Sequence, residues 1–316
     1  MLKRHSPRVD IQRLRSQALG AIRYYIKENV LPGFGTSGNF NVDVPLLCNR
    51  SLLYYLDMPR VPSMVLRAEP LRRNLAHRII GHEILLLLGL PVPEITYRDL
   101  RFRTRFRWGF YFMAEQRLLG TPFREHPDPQ SKAARLGITF AHLHGNTMEN
   151  TRNLASVRWP PRSNLILLRK KAKEWLARYR AADCPDPERV QPWLDRWPKD
   201  AWVPTPRLCM GDISPTNILI RGEEVYLVDL SSFKFSSALL EIVRMKRRIL
   251  RNSDNAWEIF IEGYRRAAAP NLRQEIDRYL PLLEGLQRIR SAGKSSDPER
   301  RLYHCQYLFR ILKSSA

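Results

Sequence analysis

The chain has 316 residues, 44% of them hydrophobic; this length and composition fit one large or two modest globular domains and exclude a largely disordered protein. Lys and Arg number 53 against 31 Asp and Glu, which gives a formal net charge of +22. Such a charge attracts polyanions, including nucleic acid, anionic membranes and phosphorylated glycans. A solvated basic surface without a binding role is the alternative explanation.

The cysteines and the apolar runs of the sequence indicate the cellular compartment to expect. The sequence has four cysteines at irregular spacing and no CxxC pair: Cys48, Cys184, Cys209 and Cys305. This pattern predicts neither a zinc site nor a disulfide framework. The first ten residues lack the apolar segment of a signal peptide, and the longest apolar run, Ile84–Val92, is too short to cross a bilayer. We therefore expect a cytoplasmic protein, either soluble or peripheral to a membrane.

The N-terminal third begins with a predicted helix and a glycine-rich turn. Apolar residues at helical spacing predict a helix over Ile11–Asn29, and the GxGxxG segment Gly33–Gly38 follows it and leads into a strand-like run. A dinucleotide-binding interpretation requires a strand before the glycines and a helix after them, which is the opposite order. A glycine turn before a strand favours a phosphate-covering hairpin, since glycine lets the backbone approach phosphate closely. An ordinary turn is the open alternative.

A strand and a helix come next. Met64–Arg67 is a short apolar strand that ends in a cation. Asn74–Leu88 is a predicted helix that ends at Gly89, with a proline soon after, and Glu83 is its only acidic residue.

The segment Arg101–Trp108 alternates arginine with Phe, Thr and Trp. Period-two alternation predicts a strand with four arginines on one face and the aromatic residues in the core. The arginine face is then either a solvated strand edge or an anion-binding patch. A second strand is predicted at Gly109–Leu119, and four helices are predicted further on: Lys132–Leu143, Ser163–Tyr179, Ser236–Leu250 and Ala256–Ala267.

The most informative stretch is a predicted hairpin whose two strands are Asn217–Ile220 and Val225–Leu230. Asp212 precedes the first strand, Asn217 opens it and Asp229 lies near the end of the second. In phosphoryl transfer an Asp accepts the proton of the acceptor hydroxyl, while an Asn and a second Asp hold Mg²⁺ on the ATP phosphates. The alternative is that these side chains only satisfy turn backbone.

The motif Met210-Gly211-Asp212, Asn217 and Val228-Asp229 resembles the catalytic and metal-binding segments of the protein-kinase-like superfamily. It is most similar to the aminoglycoside phosphotransferase branch, whose pattern is His-Gly-Asp, four residues, Asn, and later Ile or Val followed by Asp. Met210 stands where that branch has His.

The resemblance implies an α+β, two-lobed protein-kinase-like fold. A small lobe with an antiparallel sheet and one main helix is expected over residues 1–118, together with the leading helix. A larger, mostly helical lobe that carries the catalytic hairpin is expected over residues 119–316. His144, at the end of a predicted helix, is expected to be structural.

The resemblance also implies roles for individual residues. Asp212 is the expected catalytic base, and Asn217 and Asp229 are the expected Mg²⁺ ligands. Arg67 is expected to contact the phosphates of ATP and to pair with Glu83. Two further sets of cofactor-binding residues are the glycines of the turn, Gly33, Gly35 and Gly38, and the hinge that binds adenine through its backbone, Met113 and Glu115.

The expected activity is ATP-dependent phosphoryl transfer to a hydroxyl. Leu230-Ser231-Ser232 follows Asp229 in place of Phe-Gly, and the sequence has no downstream Ala-Pro-Glu, so a small molecule, sugar or glycolipid is favoured over a protein acceptor. The positive charge suggests an anionic acceptor, such as a lipopolysaccharide-core sugar, or contact with an anionic membrane. A protein Ser/Thr kinase and a nucleotide- or polyanion-binding pseudokinase are the alternatives. No specific nucleic-acid module is recognised.

Overall fold

The chain folds into two units, each with its own sheet and helices. The computed structural model describes residues 21–35, 40–43, 46–48, 51–58, 61–147, 165–195, 205–250 and 253–314. The first unit comprises Met1–Glu83 and Val92–Leu119, and the second comprises Ile84–Pro91 and Gly120–Ala316. Within the described residues, no helix is both long and apolar enough to span a bilayer.

The first unit is built on an antiparallel sheet. Its strands are β1 (Asn41–Val42), β2 (Leu46–Cys48), β3 (Ser51–Met58), β4 (Val61–Glu69), β5 (Ile95–Asp99) and β6 (Tyr111–Gln116). Their order is β1-β3-β4-β6-β5, with β2 also paired to β3. Buried residues alternate with partly exposed ones along β3, because successive side chains of a strand point to opposite faces. The strands predicted at Met64–Arg67 and Gly109–Leu119 are confirmed as parts of β4 and β6.

Helical segments flank this sheet. Residues 21–25 are helical and continue through a π-helical turn, Ile26–Val30, and a 3₁₀ turn, Leu31–Phe34. Gly35 ends the 3₁₀ turn in the left-handed conformation with a φ of 64°. The main helix α1, Arg72–Leu87, confirms the predicted helix, and a short helix α2 spans Phe102–Trp108. The rest of the predicted leading helix and Gly38 lie outside the described residues.

The strand predicted at Arg101–Trp108 is wrong, since this segment is the helix α2. Its core-facing residue is Thr104, whereas Phe102 and Phe106 are 75% and 87% exposed. Asp99 holds the start of the helix by accepting hydrogen bonds from Arg101 N at 3.1 Å and Thr104 Oγ1 at 2.8 Å. The period-two pattern therefore hid a helix whose two phenylalanines are four residues apart and share one face.

The second unit is mostly helical. Its helices are α3 (Pro129–His144), α4 (Leu165–Ala181), α5 (Pro187–Asp195), α6 (Ala238–Arg248), α7 (Asp254–Ala267), α8 (Pro270–Ala292) and α9 (Pro298–Ser314). Its strands are β7 (Thr121–Pro122), β8 (Arg207–Cys209), β9 (Ile218–Arg221), β10 (Glu224–Leu227) and β11 (Lys234–Ser236). The α+β class with a sheet-based N-terminal part and a helical C-terminal part is thus confirmed.

Helices α3 and α7 approach each other through glycine. A Cβ placed on Gly137 would lie 2.2 Å from the backbone oxygen of Phe260, and one on Gly263 would lie 2.4 Å from that of Ala134. Both distances are far below van der Waals contact, so backbone meets backbone at this crossing. The ends of the two helices carry His144 and Tyr264, whose side chains form a hydrogen bond of 2.8 Å.

Candidate active site

The predicted hairpin forms as β9 and β10, with Arg221 paired to Glu224 and Leu227 paired to Ile218. It is preceded by a loop that leaves β8 at Cys209, and a 3₁₀ turn, Pro215–Asn217, joins this loop to β9. Gly211 in the loop has a φ of 85°, and a Cβ there would lie 2.1 Å from the backbone oxygen of Ser232. Only glycine fits this position without displacing the chain.

Glu241, in the first turn of α6, binds the backbone of this loop through its carboxylate. Glu241 Oε1 accepts a hydrogen bond from Gly211 N at 2.7 Å, and Oε2 accepts one from Met210 N at 3.0 Å. Glu241 is buried, so these charge-assisted hydrogen bonds are formed away from water. The carboxylate fixes the backbone immediately before Asp212.

His144 supports Glu241 from the end of α3. Its Nε2 lies 2.9 Å from Glu241 Oε2, and its Nδ1 lies 2.8 Å from the hydroxyl of Tyr264 on α7. His144 is fully buried, which supports the structural role expected for it.

Cys209 lies close enough to His144 and Glu241 for the three to resemble a metal-ligand set. Burial, together with the charge of Glu241, raises the pKa of the Cys209 thiol well above its ordinary value, which disfavours the thiolate that a metal requires. The His and Glu ligand atoms already form hydrogen bonds to the loop and to each other. We interpret the cluster as a support for the loop.

Asp212 projects from this supported loop with its side chain 48% exposed. Arg248, at the end of α6, places Nη1 3.8 Å from Asp212 Oδ1 and donates from the same nitrogen to the backbone oxygen of Ile213 at 3.1 Å. The carboxylate is therefore accessible to solvent. Among these contacts its charged neighbour is a cation, Arg248, and not another carboxylate. These are the properties that a base acting on an external hydroxyl needs.

Asn217 connects the loop to the end of β10. Its Nδ2 donates to the backbone oxygen of Asp212 at 3.2 Å, and its backbone oxygen accepts from Val228 N at 3.0 Å. The amide nitrogen is thus committed to the loop, and the amide oxygen accepts only a long hydrogen bond among these contacts, from Thr216 Oγ1 at 3.4 Å.

Asp229 follows Val228 and adopts a left-handed backbone conformation, with φ of 59° and ψ of 60°. This conformation is uncommon for a residue with a side chain and concentrates at functional sites. Ser231 Oγ donates to Asp229 Oδ1 at 2.9 Å. One carboxylate and one amide oxygen form the hard oxygen donor set that Mg²⁺ prefers, so Asn217 and Asp229 fit the ion.

In the first unit, Arg67 is buried at the end of β4 beside Glu115 of β6. Arg67 Nη2 lies 3.7 Å from Glu115 Oε1, and His82 Nε2 on α1 lies 3.0 Å from Glu115 Oε2. Burial alone would raise the pKa of Glu115, but the His82 contact and the charges of Arg67 and Arg78 outweigh it and lower the pKa to about 2. Glu115 is thus an ionised, buried partner of three cationic or potentially cationic side chains.

Glu83, the expected partner of Arg67, is found paired with Arg98. Glu83 is half-exposed and binds Arg98, with 2.6 Å between Oε1 and Nη1. The reason is its place on α1: His82, the preceding residue, faces the buried carboxylate, and the next position along a helix points to a different side. Glu115 supplies the carboxylate that the sequence assigned to Glu83.

The residues expected to contact adenine, Met113 and Glu115, lie inside the sheet. Met113 is paired with Arg67 on one side and Arg98 on the other, and Glu115 is likewise paired on both sides, since β6 lies between β4 and β5. Their backbone groups are therefore committed to the sheet. Backbone contacts to a base would fall on the residues after β6. Gly33 and Gly35 lie in and just after a 3₁₀ turn, where a Cβ on either would meet open space.

A comparison with known protein families matches residues 51–282 to the phosphotransferase enzyme family. The matched range includes β3 at one end and most of α8 at the other. The chain belongs to this phosphotransferase family. It is therefore an enzyme of the kinase type, and the aminoglycoside phosphotransferase and protein-kinase-like resemblance of its motif is confirmed.

Solved structures show the same fold. A putative aminoglycoside phosphotransferase from Ralstonia eutropha is 14% identical with a TM-score of 0.58, and the match covers 95% of this chain and 98% of that one. A choline/ethanolamine kinase family protein from Mesorhizobium loti is 16% identical with a TM-score of 0.53, covering 94% and 95%. A macrolide 2′-phosphotransferase from Brachybacterium faecium is 17% identical with a TM-score of 0.52, covering 93% and 98%. A comparison with curated protein sequences found no match.

Two contacts, one in each unit, could not be predicted from the sequence. Glu241 holds the loop from 30 residues away, and Glu115 binds Arg67 from another strand. The sequence does contain a signal for Glu241. Ser237 predicts a helix start, and Glu241 is an acidic residue in the first turn of that helix with apolar residues on both sides. That signal does not reveal the partner.

Proposed function

We propose that this phosphotransferase moves the γ-phosphate of Mg²⁺-bound ATP to a hydroxyl of a small molecule, sugar or glycolipid. The observation that carries the proposal is the loop from Met210 to Asn217, which presents an accessible carboxylate on a backbone fixed by Glu241. Two residues would hold Mg²⁺: Asn217, which donates to the backbone oxygen of Asp212, and Asp229, which follows Val228, whose N–H donates to the backbone oxygen of Asn217. The ion, when bound, neutralises phosphate charge and orients the transferred group.

Asp212 is the proposed base. Its carboxylate accepts the proton of the acceptor hydroxyl while the hydroxyl oxygen forms its bond to the γ-phosphorus, and the bond from that phosphorus to the bridging oxygen of ADP breaks. Arg248 places a positive charge 3.8 Å from Asp212 Oδ1 and so restricts the orientation of the carboxylate. Positioning and charge neutralisation supply most of the rate in reactions of this type.

Arg67 is proposed to provide positive charge toward the phosphates of the nucleotide, with Glu115 fixing its guanidinium. A buried carboxylate with a lowered pKa remains ionised at neutral pH and so keeps the planar guanidinium in one geometry. The adenine contact is proposed for the backbone after β6, at Leu118 and Leu119, because the N–H of Arg117 already donates to the backbone oxygen of Ser63 at 2.8 Å. We keep the glycine turn at Gly33 and Gly35 as a proposed phosphate-covering element, with Gly38 outside the described residues.

Met210 does not argue for an inactive pseudokinase. Its side chain is buried, and the loop is held through its backbone N–H and that of Gly211. A His at this position is therefore not required to fix the loop, because Glu241 does so. We propose that the acceptor is anionic, in keeping with the net charge of +22, and that the enzyme works in the cytoplasm or at a membrane surface.

The test is transfer from labelled ATP to a panel of sugars, aminoglycosides, lipid-linked glycans and generic proteins. With the acceptor found, Asp212→Asn should lower turnover at least about a hundredfold, the lower end of what a positioned base contributes, and leave the nucleotide dissociation constant nearly unchanged. Asp277→Asn is the matched control, because Asp277 is an exposed aspartate that pairs with Arg265 elsewhere in the same unit.

Near-normal turnover by Asp212→Asn would refute the assignment of the base. Labelling of generic proteins with no labelling of small acceptors would instead identify a protein Ser/Thr kinase.

A further inference from the structure

Helix α2 presents two phenylalanines to solvent. Phe102 and Phe106 are 75% and 87% exposed, the two highest values among the exposed large hydrophobic residues of the described chain. They stand four residues apart on a helix, so their rings lie side by side on one face. The opposite face is anchored, because Thr104 is buried and donates to Asp99.

Two further exposed side chains, Tyr24 and Leu71, are connected to α2 through Trp108 and through Arg105. Tyr24 is 49% exposed and its ring centroid lies 5.8 Å from that of Trp108, the last residue of α2. Leu71 is 39% exposed and follows Pro70, whose backbone oxygen accepts from Arg105 Nε at 3.2 Å. Large apolar side chains exposed around one helix indicate an interaction site. We call these residues, with Phe102 and Phe106, the α2 patch.

Arginines surround the α2 patch, and little negative charge offsets them. Arg101 is paired with Asp99, but no carboxylate of the described residues forms an ion pair with Arg103 or Arg107. A cavity of about 830 Å³ opens beside the helix, and its lining includes Asn29, Arg72, Arg101, Arg103, Arg107 and Trp108. Phe102 also lines this cavity, so the exposed apolar face of α2 adjoins a concave, cationic surface.

We propose that the α2 patch docks the protein onto an anionic phospholipid bilayer, with Phe102 and Phe106 entering the acyl region and the arginine-lined cavity facing headgroup phosphates. Apolar residues on one face with arginines beside them are the signature of a helix that lies in a membrane interface, and the half-exposed Tyr24 and the partly exposed Trp108 suit the headgroup level. Because Asp99 already fixes the helix, docking requires little ordering. The proposal does not depend on the proposed phosphoryl transfer.

The chemistry of the patch favours a bilayer over nucleic acid. Single-stranded nucleic acid binds through stacking of bases on aromatic rings, and an aliphatic side chain such as Leu71 provides no such stacking. A second copy of the chain is also disfavoured, since two patches rich in unpaired arginine would repel each other.

The test is cosedimentation of the full-length protein with vesicles of phosphatidylcholine alone or containing phosphatidylserine. We expect partition into the anionic vesicles only, weakened by salt. Phe102→Ser/Phe106→Ser should lower the partition coefficient at least about tenfold, because two apolar rings no longer leave water. Arg103→Gln/Arg107→Gln should lower it about fivefold for each charge removed. Phe102→Trp/Phe106→Trp should retain binding.

Matched control variants distinguish binding by the α2 patch from nonspecific hydrophobic binding and from the effect of net charge. Leu87→Ser/Leu302→Ser removes two exposed apolar side chains outside the patch, and Arg221→Gln/Arg273→Gln removes two exposed charges outside it. Binding by both controls should exceed that of the corresponding patch variants at least about fivefold. All variants change exposed side chains, so their thermal unfolding should match that of the parent protein.

Two results would overturn the proposal. Equal vesicle binding by the parent protein and the double Phe variant would show that the phenylalanines do not insert. Absence of vesicle binding, with single-stranded RNA binding or self-association that the double Phe variant abolishes, would assign the patch to that other partner.

Discussion

The carboxylate of Glu241 accepts a hydrogen bond from the backbone N–H of Gly211 at 2.7 Å, and this contact places an acidic residue of α6 directly beneath the candidate catalytic loop. A second oxygen of the same carboxylate holds the N–H of Met210 and contacts His144. Three elements of the second unit thus converge on one side chain. The position of Asp212 depends on that convergence.

Glu241→Gln is expected to impair the loop. The amide keeps one acceptor oxygen but turns an NH₂ group toward a donor, and the loss of charge-assisted hydrogen bonds should lower the free energy of unfolding by about 1.5–3 kcal/mol. Turnover should fall at least about tenfold, with nucleotide affinity less affected, since the loop that carries the base is displaced. Urea denaturation and steady-state kinetics measure both effects.

Glu258→Gln, a change of an exposed acid on α7, serves as the control and should alter neither stability nor turnover. Parental turnover in Glu241→Gln would show that the loop does not need this support.

The metal assignment predicts a Mg²⁺-dependent thermal shift. A ligand at a hundred times its dissociation constant adds about 2.7 kcal/mol to stability, so Mg·ATP should raise the melting temperature clearly above ATP alone. Asp229→Asn should remove the Mg²⁺-dependent part, and Asn tolerates the left-handed backbone found there. Asp183→Asn is the control, because Asp183 also has a positive φ, of 49°, in the same unit. An undiminished Mg²⁺ effect in Asp229→Asn would contradict the assignment.

Substitutions at two glycines distinguish the energetic effect of backbone strain from that of a steric clash. Gly211 and Gly222 both have positive φ, of 85° and 60°, but a Cβ on Gly211 would strike the backbone of Ser232, whereas one on Gly222 meets open space. Gly222→Ala should therefore cost only the strain of about 1–2 kcal/mol. Gly211→Ala should destabilise the protein more and lower turnover sharply, because the chain must move where Glu241 holds it. Equal losses of stability and of turnover in the two variants would show that the loop can move at little cost in free energy.

The buried carboxylate of Glu115 predicts a particular pH dependence of stability. Its pKa is about 2 in the folded protein and 4.5 for an unperturbed glutamate, so the folded state favours the ionised form. The resulting stabilisation is fully present above about pH 5 and is lost as the pH falls from 4.5 toward 2. Its size is about 3 kcal/mol, at 1.36 kcal/mol for each pH unit of difference.

Urea denaturation at several pH values should therefore show Glu115→Gln far less stable than the parent protein at neutral pH, with the gap narrowing in acid. Glu83→Gln alters an exposed pair in the same unit and should have little effect at any pH. A gap that stays constant down to pH 2 would contradict the lowered pKa.

Sequence reasoning succeeded where the signal is local. The hairpin of β9 and β10, the helix α1 with its glycine stop and the helices α6 and α7 follow from periodicity over neighbouring residues. The spacing of Asp212, Asn217 and Asp229 also lies within one short stretch, which is why the family could be recognised from it.

Sequence reasoning failed where a distant contact decides the structure. The alternation in Arg101–Trp108 fits a strand, but Asp99 and the left-handed Gly109 make it a helix, and the two phenylalanines remain in solvent. The partner of Arg67 could not be found from spacing, since Glu115 reaches it only through the pairing of β4 with β6. Glu241 likewise meets the loop only after α6 has packed.

The glycine crossing of α3 and α7 restricts how this enzyme can diversify. Because Gly137 and Gly263 bring main chain against main chain, any larger residue at either position forces the helices apart, and a compensating change in a side chain cannot restore the distance. His144 and Tyr264, whose hydrogen bond spans the same two helices, would separate with them. Variants selected for new acceptors should therefore accumulate changes on exposed loops and retain both glycines, even though neither contacts a reacting group.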